Sequence, residues 1–114
     1  MREDNLIRLR HMLDAAREAV SFSQGVTRIE LASDRKLVLA LVKEIEIIGE
    51  AAYQIPQTAR DEAPGIPWDD IVGMRHRLVH AYFEINLDIL WQTVNQDLPP
   101  LISALEELIQ VSLE

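Results

Sequence analysis

Two of the chain's three histidines, two of its nine arginines and one of its two tyrosines fall between Trp68 and Phe83, in WDDIVGMRHRLVHAYF. Read as a helix, this segment places His76 and His80 on one face, with Asp69 on the same stripe. Two histidines at i, i+4 and a carboxylate are the ligand types of a divalent transition ion. The glutamate of a zinc-protease helix is missing, however. Arg77 stands directly after His76, and a cation there disfavours a metal, so none is expected. Arg75 and His80 lie five residues apart, about 140° around the helix at 100° per residue. That is unfavourable within one chain, although a long Arg side chain relaxes it; if a second copy packs against this helix about a two-fold axis, Arg75 and His80 of both chains can converge in a shared cleft. There a histidine that titrates near neutral pH and a guanidinium that grips phosphate in a fork would suit phosphodiester chemistry. RNA cleavage requires removal of a 2′-OH proton, stabilisation of a charged phosphorane and protonation of the leaving 5′ oxygen, none of which needs a metal. The bland alternative for each residue is a solvated or salt-bridged group on a helix surface.

The elements that must carry this segment follow from apolar spacing. Leu6, Leu9, Leu13, Ala16 and Val20 recur at intervals of three and four, predicting a helix from Asp4 to about Gln24 that Gly25 stops. A longer helix is expected from a cap at Ser33 or Asp34 through Leu37, Leu41, Ile45, Ile48 and Ala52 to Pro56. Gly49 interrupts its apolar face, and the simplest reason is close approach of another helix. Residues 56–66 read as the main surface loop. Pro67 then opens a helix running to about Ala81, with Asp69 and Asp70 serving its positive end. Asn86 caps a further helix through Leu87, Leu90 and Val94, and Pro99-Pro100 marks a kink or restart before Leu101, Leu105, Leu108 and Ile109. No strand is expected. The fold class is all-α, a four- to five-helix up-and-down bundle, with residues 1–114 forming one domain.

The chain has 114 residues, 48% of them hydrophobic and 26% charged, enough apolar material for a core but little to spare. A leftover apolar stripe favours self-association, so an oligomer is expected. The formal charge of −8 argues against sequence-blind nucleic-acid binding through a basic surface, and no DNA partner is expected. The distribution is uneven. Residues 1–40 carry seven Lys and Arg against six acids, whereas residues 84–114 carry six acids and no Lys or Arg, so any polyanion must be met locally. The absence of cysteine excludes disulfides and thiolate chemistry. The charged start, MREDNLIRLR, lacks the apolar core of a signal peptide, and no run has the length of a membrane span. A cytoplasmic location is expected.

Arg75-His76-Arg77-Leu78-Val79-His80-Ala81-Tyr82 has the form R-x4-H-x-Y and closely resembles the signature of HepT-like proteins of the HEPN superfamily. IEIIGEAA at 45–52, IPWDDIVGMRHRLVHAYFEIN and DILWQTVNQDLPPLI extend the likeness from about residue 5 to 110. The resemblance implies a HEPN-like bundle acting as the ribonuclease toxin of a type II toxin-antitoxin system, metal-independent and without a cofactor, its cleft formed between the two motif helices of a homodimer. His80 would be the general base or acid and Arg75 the phosphate and transition-state ligand. Tyr82 would accept AMP from an MNT-type nucleotidyltransferase antitoxin, and His76 and Arg77 would give auxiliary RNA contacts. A nucleotide on Tyr82 would place negative charge and bulk beside Arg75, competing with an RNA phosphate. Two other readings stay open: a catalytically inactive HEPN module serving as the substrate-binding or regulatory partner of a nucleotidyltransferase, and a purely structural acidic dimer.

Overall fold

A computed structural model of the chain describes residues 1–80 and 84–114, for His80 the backbone only. Helix α1 (Glu3–Ser23) ends where Gly25 takes a φ of +75°, a conformation open to a residue without a side chain. A short α2 (Arg28–Ser33) follows. Its capping box pairs the Thr27 hydroxyl with the Glu30 N–H while the Glu30 carboxylate accepts from the Thr27 N–H. Helix α3 (Arg35–Tyr53) begins on the Asp34 carboxylate, which accepts from the Leu37 N–H at 3.0 Å. The span expected to be a loop contains a single helical turn, α4 (Gln57–Arg60). From it Arg60 reaches back to the carbonyls of Ala52 and Ile55, at 3.1 and 2.9 Å, tying this turn to the end of α3.

Helix α5 (Trp68–Leu78) starts directly after Pro67, with Asp69 and Asp70 in its first turn. Trp68 is buried and donates its indole N–H to the Ala63 carbonyl at 3.0 Å. The helix stops at Leu78, three residues short of the expected Ala81. Val79 is extended, and β1 (Val79–His80) pairs antiparallel with β2 (Glu84–Ile85), Val79 opposite Ile85 and His80 opposite Glu84. The expectation of no strand is therefore corrected. Two-residue strands leave no periodicity to read, and the apolar run through Val79 fits either state.

Asn86 caps α6 (Leu87–Gln92), as expected, its side chain accepting from the Ile89 N–H at 3.0 Å. Between α6 and α7 (Leu98–Leu113), residues Thr93–Asp97 widen into a π-helical turn. Pro99 and Pro100 supply no N–H and crowd the preceding turn, and the wider turn lets the helix pass them without stopping.

Helix α1 packs against α3 and α7, and α3 also packs against α5. Leu9, Met12, Leu41, Ile45, Ile48, Leu78, Leu90, Leu98 and Leu105 fill one contiguous core, and burying each such side chain contributes about 1.5–3 kcal/mol. The all-α class holds. Among the described residues no helix is long and apolar enough to cross a membrane.

One charge lies within the α1–α3 seam. Glu44 is 5% exposed, and its Oε2 has no hydrogen-bond partner among the described residues. Burial, reinforced by the hydrogen bond and negative charge of Glu18, pushes its carboxyl up to about 7. A carboxyl raised in the folded state favours folding below its ordinary pKa, and that contribution is lost as pH rises from about 4.5 to about 7. Glu44→Gln is therefore expected to gain on the order of 1–2 kcal/mol above pH 7 and little at pH 5. Urea denaturation of both proteins at pH 5 and pH 8 measures this; an equal effect at the two pH values contradicts it.

Candidate active site

Helices α1, α3 and α5 enclose a groove of about 1180 Å³ with α3 as its floor. Arg8 and His11 come from α1, Lys43 and Glu46 from α3, and Arg75 and His76 from α5. Helices α3 and α5 approach each other closely at Gly49. A Cβ built there would lie 3.4 Å from the Ile71 carbonyl oxygen and 3.8 Å from that of Val72. The close approach expected at this glycine is thus observed.

Glu46 precedes Gly49 by three residues and so shares its face of α3. Its Oε1 accepts from the Arg75 Nε–H at 2.6 Å, while its Oε2 lies 3.9 Å from Lys43 Nζ. The Arg75 side chain is 52% exposed and that of Glu46 29%. Half of Arg75 faces solvent in the groove, and the terminal nitrogens of its guanidinium make no hydrogen bond among the described residues. Sequence reading had not singled out Glu46, because it lies on a different helix, 29 residues from Arg75. The usable signal was its spacing from Gly49 on the polar edge of the α3 stripe.

The other expected site residues are distributed more widely. His76 is exposed and lines the same groove as Arg75. Arg77 lines a separate cleft of about 290 Å³ with Met74 and Pro100, and donates to the Asp70 carbonyl at 3.3 Å. Asp70 also places a carboxylate oxygen 3.6 Å from Arg77, and Asp69 lies 3.9 Å from Arg60. The backbone of His80 runs in β1, beyond the end of α5, so His76 and His80 do not stack on one helical face. The geometry assumed for an i, i+4 histidine pair is absent for that reason. No group of three His, Asp or Glu side chains suited to a metal occurs among the described residues. Tyr82 lies outside the described residues.

Comparison with known proteins gives the class first, the RNA-cleaving enzymes of the HEPN type. The chain belongs to the HepT-like ribonuclease family, whose model, described as Ribonuclease HepT-like, matches residues 12–108. It is similar to a protein of Caldanaerobacter subterraneus subsp. tengcongensis provisionally named an RNase, at 33% identity over 90% of this chain and 91% of the relative. A Thermococcus cleftensis protein provisionally named ribonuclease HepT is 36% identical over 84% of this chain and 91% of its own length. A Methanocaldococcus jannaschii protein, also provisionally named an RNase, is 32% identical over 83% of this chain and 87% of the relative. No solved structure matches the chain significantly.

The crossing at Gly49 makes a size-dependent prediction. Alanine fits the 3.4 Å space and improves helix propensity by up to about 1 kcal/mol, so Gly49→Ala is expected to be neutral or stabilising. Gly49→Leu must push α5 away and is expected to cost about 1–3 kcal/mol. Urea denaturation of the two variants measures the difference; equal stabilities count against a tight crossing.

Proposed function

We propose that this chain is the ribonuclease toxin of a toxin-antitoxin pair. It acts as a single unit over residues 1–114 and works in the cytoplasm as a homodimer that joins two copies of the R-x4-H-x-Y segment. The observation that carries the reading is Arg75, held at one nitrogen by Glu46 with its outer fork open to the groove, within a chain of the HepT-like ribonuclease family.

In the proposed reaction His80 takes the proton from an RNA 2′-OH. The 2′ oxygen attacks phosphorus, the bond to the 5′ oxygen breaks, and the proton taken up by His80 is returned to the leaving oxygen, giving a 2′,3′-cyclic phosphate and a 5′-OH. Arg75 stabilises the charge that builds on the phosphoryl oxygens. No step requires a metal. In this reading His76, which lines the groove with Arg75, touches the same RNA, whereas Arg77, which lines the second cleft, touches only a strand that also passes there. Silencing falls to Tyr82. Its phenol oxygen attacks the α-phosphate of ATP on an MNT-type nucleotidyltransferase antitoxin, pyrophosphate leaves, and the attached AMP competes with RNA for Arg75.

A second reading, an inactive module that binds its nucleotidyltransferase, draws on the acidic stretch 84–114, which has six acids and no Lys or Arg to attract RNA.

Cleavage of total cellular RNA in EDTA tests the assignment. Wild type is expected to cleave, and Arg75→Ala and His80→Ala to lose at least about 100-fold in rate while keeping wild-type helicity. Undiminished cleavage by either variant overturns the site. Inactive wild type whose mass shows Tyr82 unmodified favours the binding module. For the modification, Tyr82→Phe is expected to cleave RNA yet gain no mass on incubation with the antitoxin and ATP; a wild-type mass gain refutes Tyr82 as acceptor.

A further inference from the structure

We infer that Glu46 is a positioning residue for the nuclease reaction, holding the Arg75 guanidinium in the plane in which it meets the scissile phosphate. This inference rests on Arg75 being the phosphate ligand proposed above. A guanidinium offers five N–H groups in one rigid plane. Anchoring Nε–H on Glu46 Oε1 at 2.6 Å fixes that plane, since Cδ and Nε then define its orientation. The two terminal nitrogens, which carry the fork that matches a phosphate, project beyond the contact and remain unengaged among the described residues.

The position of the anchor follows from backbone packing. Gly49 brings the α5 carbonyls of Ile71 and Val72 against α3. Glu46 lies about one turn before Gly49 and Arg75 about one turn after Ile71 and Val72, so the same crossing brings the two side chains together. Lys43, 3.9 Å from the other carboxylate oxygen, offsets the charge that Glu46 brings near an incoming phosphate. The arrangement provides orientation in advance of substrate, and removing it costs rate more than binding.

This predicts a division between kcat and KM that a purely structural contact would not produce. With a fluorescent RNA oligonucleotide in EDTA, Glu46→Ala is expected to lower kcat about 10- to 100-fold, with KM no higher than wild type. Glu46→Gln keeps an acceptor oxygen for the Arg75 N–H and removes a negative charge beside the phosphate. It is expected to recover most of the lost kcat and to lower KM. Circular dichroism and melting of both variants should match wild type, because the pair is partly exposed. Wild-type kcat in Glu46→Ala overturns the inference, as does Glu46→Gln being as slow as Glu46→Ala. Arg75→Ala, assayed alongside, separates the two levels: if it is inactive while Glu46→Ala is fully active, only the positioning role fails, whereas full activity of Arg75→Ala overturns the underlying site.

Discussion

The closeness with which α5 crosses α3 is the constraint on which the rest of the site depends. Helix axes separated by ordinary side chains lie about 8–10 Å apart, and at Gly49 the backbone of α5 comes so near that a single Cβ would already be in van der Waals contact with it. The same contact sets the depth of the groove, places Arg75 opposite Glu46 and leaves half of the arginine in solvent. A glycine inside a helix normally weakens it. Here the crossing leaves room for a methyl group but for no longer side chain, so a small residue at this position goes with the site geometry.

Electrostatics in the bundle divide along its two main seams. Between α3 and α5, Glu46 meets an arginine and a lysine and remains solvent-accessible. Between α1 and α3, Glu44 meets another carboxylate and is shut away from water. The two glutamates are separated by a single residue, yet one is an ionic anchor and the other holds its proton near neutrality. Helical periodicity places them 200° apart, on different sides of one helix. The acidic total charge is thus a poor guide to local behaviour, which follows from the partner each carboxylate meets.

Much of the bundle was readable in the sequence because long helices repeat their pattern many times. The spacing of Leu6, Leu9 and Leu13, the caps at Asp34 and Asn86 and the left-handed Gly25 all identified elements that are present. What escaped was short. Helix α2 has only six residues, too few for a face, although Thr27 and Glu30 already stood at capping-box spacing. The end of α5 was missed because Leu78, Val79 and Ala81 continue an apolar run that a helix could use, while the pairing that replaces it depends on Glu84 and Ile85 further along. The arginine of the motif was visible from its own segment. Its carboxylate partner was not, because a contact between distant residues depends on how helices cross.

The π-helical turn at Thr93–Asp97 has a consequence for how this chain tolerates changes in length. An extra residue in a regular α-helix turns everything downstream by about 100° around its axis, whereas a wider i→i+5 turn takes up that residue locally. Leu101, Leu105 and Ile109 reach the core from beyond that turn, so their inward direction is counted from it. Deleting one residue from the turn would let it close to an ordinary α-helical turn, with the row on α7 still facing α1. This part of the molecule can change length by one residue without changing which side chains reach the core.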